Sequence, residues 1–519
     1  MKTAAEVKVT PQAVHQHLQE MGWDYESRRA KYPTKYKFNK DTREQFKLIV
    51  REYSRMEEEK DSRQYGSLVD SLARLSAGSR VEPRWAEVMK IVSNFLEIGE
   101  YGAFGCAASL WDSVESPEQR NGYMAQVEDE VRHVSQLGYL SHYFATQYQD
   151  PAGFTDFRKF RYAQPFFGAA RTTVLDHALA GDPVQMSINL QLVAEAAFTN
   201  PLIVAMTETA AANGDEITPT IFLSIESDEL RHMANAYQTI VSVVDDPDNM
   251  KYLQTDIDNA FWINHKFITP FVGLAFDYFS VNKGEAWART WDRWVYEDWG
   301  GIWLGRLSRF GVETPKCMAD AKRDAYWGHH YAYAAGWALW PLGGIRFELP
   351  SEREFDWFEN QYPGWYDEIG NIFEHWREDG YADPANHLMG VDLFIDGKIP
   401  VYTCRVCSLP SILPTFYDGL TNVRILEYGG RKHAFCSVWC ERMYLKEPER
   451  YNGQNLFELF DGWELSKVVE ACGMVRSDGK TCVAQPHLNS DRMWTLEDVR
   501  KCGIRLRDPL THGMNFERV

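Results

Sequence analysis

Between about residues 81 and 250 the apolar positions recur with the helical period, and the punctuation cuts this stretch into four long helices. Pro83 opens the first, and Ser116-Pro117 supplies the N-cap and N1 residues of the second. The third follows Gly181-Asp182-Pro183 and stops near Asn213-Gly214, and Thr218-Pro219 starts the fourth. Pro201 lies inside the third and cannot donate to the carbonyl of Ala197, so either a kinked, widened turn or a break is expected there. Residues 1–80 are polar and charge-rich and read as helices and loops wrapping something larger. Residues 251–390 stay helical and aromatic. After Gly390 the texture changes to short strand-like runs with Gly-rich turns, such as Val391–Ile395, Ile399–Tyr402 and Val423–Leu426. The chain thus divides at 1–80, 81–250, 251–390 and 391–519, mainly α with a small mixed α/β end.

Composition narrows the classes. A chain of 519 residues that is 45% hydrophobic and 14% aromatic can bury a large core in two to four units. A net charge of −19 with pI near 5.3 argues against nucleic acid or an anionic membrane as the main partner. Met1–Lys8 lacks the apolar core of a signal peptide, and Tyr331–Leu342, read as the best apolar span, is too short to cross a bilayer. Nine cysteines without an export signal point to reduced thiols and a cytoplasmic setting, where clustered cysteines read as metal ligands before disulfides.

The chemistry begins with a repeat. Asp129-Glu130-Val131-Arg132-His133 returns as Asp228-Glu229-Leu230-Arg231-His232. A Glu and a His three apart stand on one helix face, so oxygen and nitrogen can reach one point. Each pair has a lone Glu upstream in an apolar run, Glu100 and Glu195, where an unpaired carboxylate is costly unless it meets a cation. One Glu from each of two helices and Glu-x-x-His from each of the other two is the carboxylate di-iron pattern of a ferritin-like four-helix bundle, and hard carboxylates with two imidazoles favour two iron ions or manganese. Asp129, Asp228, Arg132 and Arg231 flank the ligands and either orient the imidazoles across the bundle or form ordinary surface ion pairs. Helix spacing puts Leu96, Ala103 and Phe104 on the face of Glu100, an apolar wall suited to an aromatic ring.

Cys404, Cys407, Cys436 and Cys440 form a two-knuckle spacing suited to one structural zinc. The aromatic stripe Thr290–Gly301 reads as core, and His329-His330 as structural neighbours pointing apart. Gly479-Lys480-Thr481 fails as a phosphate loop because Gly473 is one residue too far upstream.

From about residue 80 onward the chain resembles the large subunit of the soluble bacterial multicomponent monooxygenases, a group that includes methane monooxygenase, toluene monooxygenases and phenol hydroxylase. The likeness is carried by Leu96–Tyr101, Glu195–Leu202, Asn213–Thr220, both Asp-Glu-x-Arg-His runs and Thr290–Gly301. It implies Glu100, Glu130 and His133 on one iron and Glu195, Glu229 and His232 on the other, Thr199 near the oxygen-binding face in proton delivery, Asn200 as a gate when a regulatory protein docks, and Gly99 and Val174 in the pocket. The four cysteines look like the phenol hydroxylase branch, which implies oxidation of phenol to catechol. With no Rossmann glycines or ferredoxin cysteine run, electrons come from another protein. The resemblance makes that an NADH-dependent flavin and iron-sulfur reductase, beside smaller subunits in a dimer of heterotrimers and a cofactorless regulatory protein.

Three alternatives stay open at this point. A ribonucleotide-reductase-like radical subunit usually has Asp as first ligand and a tyrosine one turn after the first His, where this chain has Glu100 and Leu137. A ferritin-like iron store leaves the large flanking regions without a role, and an inactive scaffold subunit has no need of six intact ligands.

Overall fold

A computed structural model of the chain describes residues 34–37, 80–114, 116–147, 182–339, 349–378, 401–412, 423–451, 455–476, 478–482 and 495–519, with a few single positions. It divides into two compact units, one of residues 1–144, 173–276 and 280–322, the other of 145–172, 277–279 and 323–519.

The first unit is built on α1 (Pro83–Ser113), α2 (Pro117–Gln147), α3 (Pro183–Ala212), α4 (Ile217–Val244) and α5 (Pro247–Leu274). The starts follow local chemistry. Asp182 and Gln185 make a reciprocal capping box around Pro183. The fourth helix starts one residue earlier than Thr218-Pro219 implied, because the capping oxygen is Asp215 Oδ1, which accepts from the amides of Ile217 and Thr218 at 3.0 Å each. Asp215 also accepts from Trp85 Nε1 at 3.0 Å, tying the beginnings of α1 and α4 together. Between α3 and α4, Gly214 has φ +75°, and a Cβ there would lie 2.5 Å from the carbonyl oxygen of Arg80, so the turn admits only glycine.

The third helix does not break at Pro201. Widened π turns run through Ile188–Thr199, and α-helix resumes at Asn200. Two carbonyls in the widened stretch take side-chain donors, Asn189 O from Asn264 Nδ2 at 3.2 Å and Leu192 O from Trp299 Nε1 at 3.1 Å. Trp299 and Trp291, from the aromatic stripe, are buried as expected of core, although Tyr296 of the same stripe is exposed. The sequence reading passed over one apolar span: Pro183–Ala212 is long and apolar enough to cross a membrane by length and composition, but 78% of its most apolar window is buried inside the protein. It is a helix of the bundle, apolar over most of its surface because neighbouring helices cover it, with Glu208, Ala211 and Ala212 exposed towards its end.

Nearly all of residues 1–80 lies outside the described residues. Its longest described stretch, 34–37, lies against the bundle, with Thr34 Oγ1 donating to Asp182 at 3.0 Å and the Tyr36 hydroxyl to Asp256 at 2.5 Å.

In the second unit the described strands pair as three antiparallel two-stranded sheets, β1 (Val401–Thr403) with β2 (Pro410–Ile412), β3 (Arg424–Tyr428) with β4 (Arg431–Phe435), and β5 (Ile504–Leu506) with β6 (Phe516–Arg518). Residues 391–400, including the strand expected at Val391–Ile395, lie outside the described residues.

Candidate metal centre

All six ligand-type side chains converge in the interior of the first unit. Glu100, Glu130 and His133 have donor atoms within 4.8 Å of one another, and so do Glu130, Glu195 and His232. Glu130 belongs to both groups: its Oε2 is 3.3 Å from His133 Nδ1 and its Oε1 3.4 Å from His232 Nδ1. Glu229 also faces both rings, at 3.9 Å from His133 Nδ1 and 3.5 Å from His232 Nδ1. Glu100 lies 3.3 Å from His133 Nδ1 and Glu195 3.7 Å from His232 Nδ1. The imidazoles, 5.8 Å apart between centroids, thus face two shared carboxylates and one private carboxylate each, an outline for two metal ions side by side.

The far nitrogens explain the orientation. His133 Nε2 is 3.0 Å from Asp228 Oδ2, and His232 Nε2 is 3.3 Å from Asp129 Oδ2, each carboxylate reaching across from the opposite Glu-x-x-His helix. An ionised carboxylate only accepts, so Nε2 carries the proton and the Nδ1 lone pair turns to the glutamates. Arg132 pairs with Asp129, and Arg231 with both Asp228 and Asp129, so these four residues are buried or half-buried parts of one charge network across the bundle rather than separate surface pairs.

The donor set fits a pair of hard divalent cations. Glu130 Oε2, Glu195 Oε2, Glu229 Oε2 and His232 Nδ1 are buried and take part in no hydrogen bond among the described residues, a costly state that a cation relieves. Four glutamates carry four negative charges, matched by two divalent ions. Without cations the cluster holds protons instead. Burial, followed by the charge of Glu229, pushes Glu195 well above the usual carboxylate range, and burial pushes Glu100 up to about 7. Burial lowers His232, but the carboxylates of Glu130, Glu195 and Glu229 outweigh it and raise the ring to about 9.

A cavity of 90 Å³ opens on this centre, lined by Leu96, Gly99, Glu100, Ala103, Glu195, Thr199 and Glu229 with residues from α3 and α5. Glu100 is the most exposed of the six, with 15% of its side chain accessible. A Cβ on Gly99 would meet nothing within 4 Å, so the glycine leaves room there. Phe104 is half-buried and not among the lining residues, and Val174 lies outside the described residues. The sequence reading missed the wall from α5: Asn264, Phe267, Ile268 and Phe271 form one stripe at helical spacing. The stripe was visible, but nothing in the chain linked it to the metal residues. Asn200 is half-buried, with an Oδ1 that accepts no hydrogen bond among the described residues.

In the second unit, Cys404, Cys407, Cys436 and Cys440 have sulfurs within 4.8 Å of one another. The Cys436 amide donates to Cys404 Sγ at 3.4 Å, and Ser437 caps the helix Val438–Lys446 that carries Cys440. One expectation is corrected there. The rings of His329 and His330 do not point apart; both are fully buried, with centroids 3.9 Å apart. His329 Nε2 faces Asp277 at 2.8 Å and His330 Nδ1 the Tyr278 hydroxyl at 2.7 Å, partners on a neighbouring segment that draw the two rings to one side.

Comparison with known proteins agrees with this geometry. Residues 23–247 match the family described as Methane/Phenol/Alkene Hydroxylase. The chain is 53% identical to the methane monooxygenase component A alpha chain of Methylococcus capsulatus, covering 98% of this chain and 96% of that one. It is 32% identical to the large subunit of the propane 2-monooxygenase hydroxylase component of Gordonia sp., over 95% and 93% of the two chains. A solved structure of xenon-pressurized phenol hydroxylase from Pseudomonas sp. OX1 superposes with a TM-score of 0.74 at 21% identity, covering 95% of this chain and 99% of that one, and shows the same fold. The chain belongs to the large alpha-subunit family of the bacterial multicomponent monooxygenase hydroxylases, whose members are carboxylate-bridged di-iron enzymes.

Proposed function

We propose that this chain is the oxygenase subunit of a hydroxylase that inserts one atom of dioxygen into a C–H bond of a short alkane. The observation that carries the reading is the pair of glutamate–histidine groups joined through Glu130 and opening on the 90 Å³ cavity. Two irons held by Glu100, Glu130, His133, Glu195, Glu229 and His232 supply reductive activation of dioxygen. The protein holds those ligands, keeps bulk water from the cavity and delivers protons, for which Thr199 offers a hydroxyl on the cavity wall. Asn200, next to it, is the proposed gate. Electrons arrive from an NADH-dependent flavin and iron-sulfur reductase, with smaller subunits in a dimer of heterotrimers and a regulatory protein completing the system. The four cysteines hold a structural zinc that steadies the second unit.

Sequence likeness favours the alkane; a cavity of 90 Å³, against roughly 300–1,000 Å³ for drug-sized ligands, suits small substrates of either kind. The relatives named for methane and propane are far nearer in sequence than the phenol hydroxylase, whose 21% identity speaks to fold alone. The expectation of phenol rested on the four cysteines, and a thiolate cluster has no chemical bearing on which hydrocarbon is oxidised. The inactive-scaffold alternative predicts an incomplete ligand set, contrary to the six residues gathered here.

The test is turnover with reductase, NADH and ¹⁸O₂ on methane, propane and phenol supplied separately. Labelled alcohol from an alkane supports the reading, and catechol from phenol with no alkane product overturns it. Glu130→Ala should lower alcohol formation by more than about a hundredfold, since even changes outside the ligand shell often cost 10–100-fold.

A further inference from the structure

Beneath the glutamates lies a chain of buried amides that the metal reading does not use. Gln126, Gln191 and Ser187 are fully buried and Asn235 nearly so, in an interior where uncharged polar side chains are costly unless each finds a partner. Gln126 Nε2 donates to Glu130 Oε1 at 3.0 Å and to Glu195 Oε1 at 3.4 Å. Its own carbonyl oxygen accepts from Gln191 Nε2 and, at 3.2 Å, from Asn235 Nδ2. Gln191 Oε1 in turn accepts from the Ser187 hydroxyl at 2.5 Å.

These bonds run in one direction only. Carboxylates that bind a cation are ionised and cannot donate, so Gln126 must present its NH₂ to them; its oxygen then needs donors, which Gln191 and Asn235 supply, and Ser187 satisfies Gln191. Turning one amide over would set donor against donor or acceptor against acceptor along the row. Close approach fixes the frame as well: a Cβ on Gly122 would lie 2.6 Å from Asn235 Oδ1, so α2 and α4 meet here at glycine distance.

We propose that Gln126, locked by Gln191 and Asn235, is a positioning residue for the metal site on the His232 side. It engages one oxygen of Glu130 and one of Glu195, both members of the group with His232, and touches neither Glu100 nor His133. The oxygens it holds, Oε1 of Glu130 and of Glu195, are the ones that face His232 Nδ1, at 3.4 and 3.7 Å, whereas the other oxygen of Glu130 faces His133 Nδ1 at 3.3 Å. The amide row thus presets two carboxylates before metal arrives, and does so for one of the two sites.

The inference rests on the two-metal reading, and one titration separates the two. The full chain, freed of iron but with its four cysteines still loaded with zinc and in the assembly with which it purifies, is titrated with Co(II), following the visible d–d absorption. Wild type should take two equivalents; no uptake would refute the metal reading itself. Gln126→Leu should leave one equivalent at wild-type affinity and weaken the other by about 10–100-fold, the usual effect of removing a hydrogen bond to a metal ligand. Gln119→Leu, which removes another buried glutamine of α2 whose amide donates to Ser242 at 2.8 Å, should change neither. Should Gln126→Leu not fold, Gln191→Met, which unlocks the amide without deleting it, should weaken the same equivalent by a smaller factor. Two unchanged equivalents in a folded variant, or equal weakening of both, would overturn the proposal.

Discussion

The bundle draws its six ligand-type residues from four helices spread between residues 100 and 232, whereas the second unit draws four thiols from two short segments, 404–407 and 436–440. The thiols need little around them: a strand end, a capped helix and an amide aimed at Cys404 Sγ bring the sulfurs together. The carboxylates need a whole interior. Asp129 and Asp228 reach across to turn the rings, arginines offset the aspartates, and a row of amides holds Glu130 and Glu195. Thiolates around a structural zinc, the ion proposed for the four cysteines, close their shell and stop, while a di-iron oxygenase centre keeps an apolar cavity at one side. The cost of four buried glutamates is met by everything around them.

The largest effect should come from the smaller site. Cys436→Ser, or a chelator that extracts zinc, should destabilise the second unit by more than about 4 kcal/mol, loss of a structural metal being among the few single changes of that size. Calorimetry should show its transition moving down while iron content stays unchanged. Iron lost in parallel would break the contrast between a local site and a distributed one.

The bundle site should respond in smaller, graded steps. Asp129→Asn and Asp228→Asn each keep the shape but let the residue donate as well as accept, so the facing imidazole loses its fixed tautomer. Each should weaken iron binding by about 10–100-fold at the histidine it faces, His232 for Asp129 and His133 for Asp228. Iron titration followed by Mössbauer spectroscopy resolves the two sites, and loss confined to the histidine on the mutated residue's own helix would contradict the crosswise geometry.

This same contrast explains what the sequence disclosed. Spacing alone paired Cys404 with Cys407 and Cys436 with Cys440, and helical period with proline and cap residues placed α1 to α4, since those signals are local. The six metal residues were legible because Glu-x-x-His repeats and because carboxylates among Leu, Val and Ala are anomalous. Gln126, Gln191 and Asn235 were not, since a glutamine in a helix is unremarkable until two other helices supply its partners. The α5 wall failed for a like reason. His329 and His330 misled because adjacent helical residues diverge at Cβ, and only Asp277 and Tyr278 bring the rings back together. The direction of the Asp129 and Asp228 contacts, across the bundle rather than along one helix, was a choice that only packing could make.

The smallest effect is one of sign, and it separates empty bundle from loaded bundle. In the metal-free chain Glu100 titrates at about 7 instead of 4.5, because burial disfavours its charge, and His232 at about 9 instead of 6.5, because surrounding carboxylates outweigh burial. A folded pKa raised above its unfolded value gives stability that is complete below the unfolded value and is lost as pH climbs through the folded one. Both groups therefore act in the same direction, Glu100 between about 4.5 and 7 and His232 between about 6.5 and 9. The melting temperature of the metal-free chain should fall by a few degrees from pH 5.5 to 8.5. Bound iron reverses the trend, because it needs the same groups deprotonated and binds more tightly as protons leave. Thermal melts with and without anaerobic Fe(II) across that range should thus diverge with rising pH. A metal-free melting temperature that climbs in the same window would mean that burial and the surrounding carboxylates do not make the empty bundle hold protons, and would undo the argument that cations are what relieve this interior.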